Sequence, residues 1–417
     1  MKHLLFISLA FSPFTALATV LPDSISAQTV AAPDDTENGI VSIAEDRAFS
    51  VESPNGKFSF KPYMMIQMAA SGNWYDDEGL DPAYNQDNVA NSGFSVPYAI
   101  IGFTGRAYDR VAYNVSINAA GSGAGILQQA WFDVKVNNAI RFRLGKQKTP
   151  FTHGYLTTLG ETLMPSLPTS LTSSVIMPYS LNAVMPSMAT GWDLGLEMHG
   201  IVGTGKQKMG YEIGIFNGTG GATNAATKTL SDDLHIPSLL YAARLAYMPW
   251  GTMPTTQGNS KNLNTRKMLI AASANVNVES EWESTNDTRF GLEYALLFDR
   301  WYVGLEAYAM HVGFTKRQKI TDTYNFIGGY VQAGYFATRH LQLAARYDMF
   351  DRNSSSTDGF LNSPAVGVNY FFDRIGIKLG AMYQYTGRWG HKTQLDRDND
   401  DLGIATHMAK VQLQYCF

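Results

Sequence analysis

The last nine residues alternate without a fault: Ala409, Val411, Leu413, Tyr415 and Phe417 fall on one face, and Lys410, Gln412, Gln414 and Cys416 on the other. A period of two is the side-chain period of an extended strand with one apolar and one polar face. Sixteen segments show this pattern. They lie near 58–68, 98–108, 111–119, 127–136, 140–147, 190–199, 209–216, 239–248, 268–278, 288–298, 301–310, 326–336, 341–349, 365–372, 375–385 and 406–417. In 190–199, for example, Trp192, Leu194, Leu196 and Met198 oppose Asp193, Gly195, Glu197 and His199.

Hydrophobic residues make up 45% of the 417, yet no stretch beyond the first twenty or so is apolar enough to cross a bilayer as a helix. With 38 Gly, 22 Tyr, 22 Phe, 7 Trp and only 16% charged residues, the composition suits strands and turns. The chain therefore reads as all-β.

The connections carry a second signal, because a membrane-spanning barrel alternates short turns with longer loops. Asp109-Arg110, Asn137-Asn138, Asp299-Arg300, Asp373-Arg374 and 338–340 are short, and each follows an even-numbered segment. The long connections 70–97, 148–189, 217–238, 313–325, 351–364 and 387–405 follow odd-numbered ones. The turn 250–267 is long for the short side. A soluble sandwich would carry richly charged outer faces, whereas here the polar faces are small and only moderately charged and aromatics gather near segment ends. The expectation is a 16-stranded antiparallel transmembrane β-barrel with short periplasmic turns and long extracellular loops.

Met1-Lys2-His3 followed by the apolar run 4–20 has the form of a secretory signal, with cleavage after Ala18 or Ala27. The expected organisation is a signal peptide at 1–27, a periplasmic segment at 28–56 and the barrel at 57–417, located in a bacterial outer membrane. A net charge of -4, from 32 basic and 36 acidic residues, speaks against nucleic acid as a partner. The single Cys416 excludes an internal disulfide framework and a four-cysteine zinc site.

Sixteen strands leave an aqueous lumen, so the polar faces describe a pore. They place Lys61, Arg106, Lys135, Arg141, Arg143, Arg244, Arg289, Arg346, Lys378 and Lys410 inside, against Asp133, Asp193, Glu197, Glu212, Glu293, Glu306 and Asp348. Ten basic residues against seven acidic predict a weak preference for anions at most. Each such charge could equally serve in a wall-stabilising ion pair. The segment 148–189 is long, proline-rich and poor in charge, and such loops are usually functional. Its Pro150, Phe151, His153, Pro165 and Pro168 are the candidates for a constriction formed by folding inward. A lid or a subunit-contact loop is the competing reading.

Other motifs carry less. The run 200–207 resembles a phosphate-cradling loop, but Gln207 stands where Ser or Thr is required and a strand follows instead of a helix. Asp396, Asp398 and Asp400 have calcium-loop spacing without the Gly and Glu that complete it. The histidines are scattered, so no metal site, no cofactor and no hydrolase constellation is expected, and the chain does not read as an enzyme.

Two runs are similar to a known family: Gln129-Ala130-Trp131-Phe132-Asp133-Val134, and Ile140-Arg141-Phe142-Arg143-Leu144-Gly145-Lys146-Gln147-Lys148-Thr149-Pro150-Phe151. They resemble the strand pair before the long third loop of phosphate-selective porins of the O and P type. Gly56-Lys57-Phe58-Ser59-Phe60 and the terminal Tyr415-Cys416-Phe417 resemble that family too. The resemblance implies a homotrimeric outer-membrane channel of sixteen strands, surrounded by lipid and lipopolysaccharide, which passes small hydrophilic or anionic solutes. A gated or substrate-specific barrel, or a non-transporting adhesin or assembly factor, are the alternative functions. Conductance across a planar bilayer separates them.

Overall fold

The computed structural model describes residues 41–45, 48–75, 91–108, 110–172, 192–218, 224, 239–258, 263–278, 285–314, 324–351, 354, 360–372, 376–389 and 406–417. Both proposed cleavage points, Pro178 and Pro186 of the long loop, and Asp396 to Asp400 lie outside them. A hairpin of β1 (Val41–Glu45) and β2 (Ala48–Glu52) precedes the wall. The wall then runs β3 (Phe58–Tyr75), β4 (Asn91–Ala107), β5 (Val111–Asn118), β6 (Leu127–Lys135), β7 (Arg141–Lys148), β8 (Trp192–Val202) and β9 (Lys208–Phe216). It continues with β10 (Leu240–Met248), β11 (Arg266–Asn277), β12 (Thr285–Phe298), β13 (Trp301–Phe314), β14 (Tyr324–Phe336) and β15 (Leu341–Asp351). The last members are β16 (Phe360–Asn362), β17 (Ala365–Phe371), β18 (Ile377–Trp389) and β19 (Thr406–Cys416).

Apart from β16 and β17, each strand pairs antiparallel with the next, and β19 returns to β3 with Thr406 opposite Tyr75 and Cys416 opposite Met65. Both β16 and β17 pair with β15 and with β18, so together they are one strand broken at Ser363-Pro364. Proline has no N–H for the ladder, which accounts for the break. The result is a closed sheet of sixteen positions, each matching one of the alternating segments. Closure leaves no long edge unpaired. Below the end of β19, β2 takes over the edge of β3 by pairing Val51 with Phe60 and Glu52 with Ser59.

Alternation in sequence becomes alternation in burial. Along β13, Tyr302, Glu306, Tyr308 and Met310 are buried while Trp301 and Leu305 are exposed on the outer face. Phe132, Leu144, Phe290 and Leu292 are among the outer apolar residues, each more than half exposed on the isolated chain. A lipid bilayer covers such a belt. The pattern breaks at Gly145, whose φ of 132° is closed to side chains: a Cβ there would lie 2.1 Å from the Ala130 carbonyl oxygen. After this kink both Lys146 and Gln147 are buried, where regular alternation would have turned one of them outward.

Several local expectations need correction. Strands β3 and β4 extend to Tyr75 and back to Asn91, well beyond the segments at 58–68 and 98–108. A register shift between Gln67 and Ala69 interrupts the period there. Trp192 does not join the outer apolar face. It pairs across the sheet with Lys148, is 8% exposed, and its ring lies 5.3 Å from the Lys148 ammonium.

Candidate functional site

Between β7 and β8 the chain leaves the wall, and residues 149–172 run across the inside of the barrel as a strap. Two short helical turns shape it: α1 (His153–Leu156) after Thr152, and α2 (Thr169–Leu171) after Pro168. Helix starts leave backbone N–H groups without partners. The wall supplies carboxylates for these. Glu293 accepts from the His153 N–H at 2.6 Å and Glu306 from the Gly154 N–H at 2.5 Å. Asp348 accepts from the Thr169 and Ser170 N–H groups. Tyr308 donates its hydroxyl proton to Glu306.

The strap's carbonyls meet cations instead. Lys148 donates to the Tyr155 and Thr157 carbonyl oxygens at 2.6 and 2.9 Å, and Lys378 to those of Gly160 and Thr162 at 3.0 and 3.1 Å. Lys410 reaches the Pro165 oxygen at 3.0 Å and Arg346 the Ser166 oxygen at 2.8 Å. Neutral wall residues add to this: Asn369 donates to the Leu163 carbonyl and Gln414 to that of Gly160. Wall acids thus accept from strap N–H groups and wall bases donate to strap carbonyls in charge-assisted contacts, with neutral amides adding to the latter.

Apolar packing follows the same route. Phe151, Tyr155 and Leu171 form a buried cluster with Tyr308 and Tyr330 of the wall. Leu163 and Met164 join Met253, Leu297, Tyr302 and Met382. Each such fully buried side chain contributes about 1.5–3 kcal/mol. Met253 belongs to the turn between β10 and β11, and this explains that turn's unusual length: it enters the barrel to meet the strap. The Gln257 side chain accepts from the Leu163 N–H at 2.7 Å, and Thr256 donates its hydroxyl proton to Glu161. Burial, and then the neighbouring Arg244, push the His153 imidazole down to about 4, so it is neutral at pH 7.

Open space lies on the other side. A cavity of about 500 Å³ is bounded by the strap residues Pro150, Leu156, Leu159 and Glu161, by wall residues of β3 to β9, by Thr255 of the β10–β11 turn and by Cys416 and Phe417 at the end of β19. Tyr63, Ile100, Gln129, Trp131, Arg143, Gln147, Lys148, Trp192, Glu197 and Glu212 are among the residues of β3 to β9. A second space of about 170 Å³ adjoins it, beside His153, His199, Glu212 and Arg244.

Charges on this side pair mainly with each other. Asp133 binds Arg141 at 2.8 Å, Arg143 at 2.9 Å and His199 at 2.8 Å, and Arg143 also lies 3.8 Å from Glu197. The Arg143 guanidinium sits 4.7 Å over the Trp131 ring. Arg244 bridges Glu212 at 3.1 Å and Glu293 at 2.7 Å.

The ten basic residues read from the sequence therefore have separate fates. Arg346, Lys378 and Lys410 hold the strap; Arg141, Arg143 and Arg244 are in carboxylate pairs. Arg289 is buried in the wall at 6% exposure. Lys61 and Arg106 are exposed at the end that β2 covers, where Arg106 faces Glu52 at 3.6 Å, and Lys135 is half-buried opposite Arg141. Of the strap candidates, Phe151, His153 and Pro168 are buried, Pro150 borders the cavity and Pro165 offers its carbonyl to Lys410. Sequence reasoning missed Gln257 and the inward role of the 250–267 turn; the turn's excess length was the available signal. Among the described residues no group of three or more His, Cys, Asp or Glu is placed to hold a metal ion.

The family model for phosphate-selective porins O and P matches residues 66–417. The chain belongs to that family. As a member it is an outer-membrane porin, located in the bacterial outer membrane. Among solved structures, a Salmonella typhi OmpF complex with daunomycin matches at 12% identity and a TM-score of 0.51, covering 90% of this chain and 100% of that one. This likeness shows the shared barrel fold. The outer-membrane channel DcaP of Acinetobacter baumannii matches at 11% identity and 0.47, covering 88% and 99%. A trimer form of OmpT from Vibrio cholerae matches at 13% and 0.48, covering 86% and 99%. No individually curated protein matched.

Proposed function

We propose that small hydrophilic solutes cross by passive diffusion through the space between the strap and the β3–β9 wall, with a weak preference for anions. The observation that carries this is the cavity of about 500 Å³ on that side, beside a strap held mostly by residues of β12 to β19, with Lys148 of β7 as the anchor from the cavity side. Rings of fixed charge set ion preference. Here Arg143 borders the cavity already paired with acids, Glu161, Glu197 and Glu212 border it too, and Lys148 is the lining cation with no carboxylate partner. Only a small imbalance remains.

The barrel acts without catalysis, assembles as a homotrimer and meets lipopolysaccharide through its outer leaflet side; family membership supports the trimer. Purified protein in a planar bilayer tests the reading. Stable openings in triplets, with a reversal potential that is a small fraction of the Nernst limit and of anionic sign, are expected. Silence, or strong cation selectivity, would contradict it.

A further inference from the structure

Lys148 differs from every other cation described around the cavity. Lys148 lines the space, yet no carboxylate is paired with it: two of its three ammonium protons go to the Tyr155 and Thr157 carbonyls. The Tyr155 and Trp192 rings flank it at 5.4 and 5.3 Å. Carbonyl dipoles and ring faces stabilise an ammonium without neutralising it. Arg143, by contrast, is tied to Asp133 and Glu197.

The lining also has an apolar part, beside the carboxylates Glu161, Glu197 and Glu212. Tyr63, Trp131, Leu156 and Leu159 are half-buried there, so part of each remains open to a visitor. A strongly hydrated inorganic anion gains little from such a surface and needs several unpaired donors to replace its water. An organic anion with a flat apolar body gains from both halves: apolar area leaves water on one side, and one charge-assisted contact forms on the other.

From this we infer that the cavity is a binding subsite for monocyclic aromatic carboxylates, with Lys148 receiving the carboxylate and Trp131, Tyr63 and Leu156 the ring. The subsite rests on the proposal that this side of the barrel is the passage. A space of about 500 Å³ holds a single ring with room to move on.

Single-channel recording in potassium chloride with added benzoate, acetate or inorganic phosphate tests it. Benzoate is expected to reduce the chloride current saturably, while acetate and phosphate at equal concentration do not. Lys148→Gln should raise the half-blocking benzoate concentration about tenfold. Lys148→Arg, which keeps the charge, should restore it. Trp131→Gln, which leaves Lys148 and its carbonyl partners in place, should weaken the block several-fold. Block by benzoate that survives both Lys148→Gln and Trp131→Gln, equal block by phosphate, or no saturable effect in a conducting channel would overturn the subsite and leave the porin reading standing. A wild-type protein that never conducts would overturn the passage and the subsite with it.

Discussion

The two halves of this barrel are built from the same alternating pattern and use it for different ends. On the side of β12 to β19, the inward polar residues Glu306, Asp348, Arg346, Lys378 and Lys410 are spent on the backbone of the strap. Along β6 to β10, Asp133, Arg141, Arg143, His199, Glu212 and Arg244 pair with side chains of neighbouring strands, and several border open space. A count of inward charges therefore does not measure ion selectivity. What matters is whether each charge has a partner and on which side of the strap it stands.

The strongest way to break the comparison is to remove the strap. Excising 155–168 should raise single-channel conductance several-fold and enlarge the solute cut-off, measured by liposome swelling. Unchanged values would mean that the strap does not narrow the pore. Next, Glu306→Ala leaves the Gly154 N–H and the Tyr308 hydroxyl buried without their acceptor, a local cost of about 2–4 kcal/mol. Faster proteolysis within 149–172, with the barrel intact, is the expected sign.

Acid should act on the same region progressively. His153 is held near 4 when packed and returns to 6.5 when released, so the released strap binds the extra proton. Packing is therefore strongest above 6.5, weakens as pH falls toward 4 and changes no further below that, by about 3 kcal/mol in full. Open-channel current noise that grows across this window, and does not grow in His153→Phe, would bear this out.

Selectivity should separate the halves. Arg143→Gln is expected to move the reversal potential toward cations, whereas Lys410→Gln, behind the strap, moves it little. Equal shifts would erase the distinction. Smallest of all is Asp299→Asn, at an exposed turn. The Arg266 hydrogen bond holds the Asp299 carboxyl below its usual range, so any contribution is lost only as pH falls below that range. Pairs this exposed are screened by water, and barrel melting should not change measurably at pH 7.

The wall was legible in the sequence because its signal is local: one residue in two, sixteen times. The exceptions share a cause. The register shift after Gln67, the kink at Gly145 and the break at Pro364 each insert an irregular residue, and alternation is lost at that point. The site was harder to read. Arg244 meets Glu212 and Glu293 from 32 and 49 positions away, and Lys378 meets Gly160 from 218. Such partners are fixed only when the sheet closes, so alternation offers candidates for inward charges without showing which are occupied.

The central claim is that the passage runs along the β3–β9 wall while the strap occupies the opposite side, and thiol accessibility tests it most directly. In a Cys416→Ser background, Gln129→Cys in the cavity lining and Gln332→Cys, at a buried position of β14 outside that lining, would each be treated with a charged thiol reagent during bilayer recording. The account predicts that current falls on modifying position 129 and is unaffected at position 332. A fall at 332 with none at 129 would contradict it.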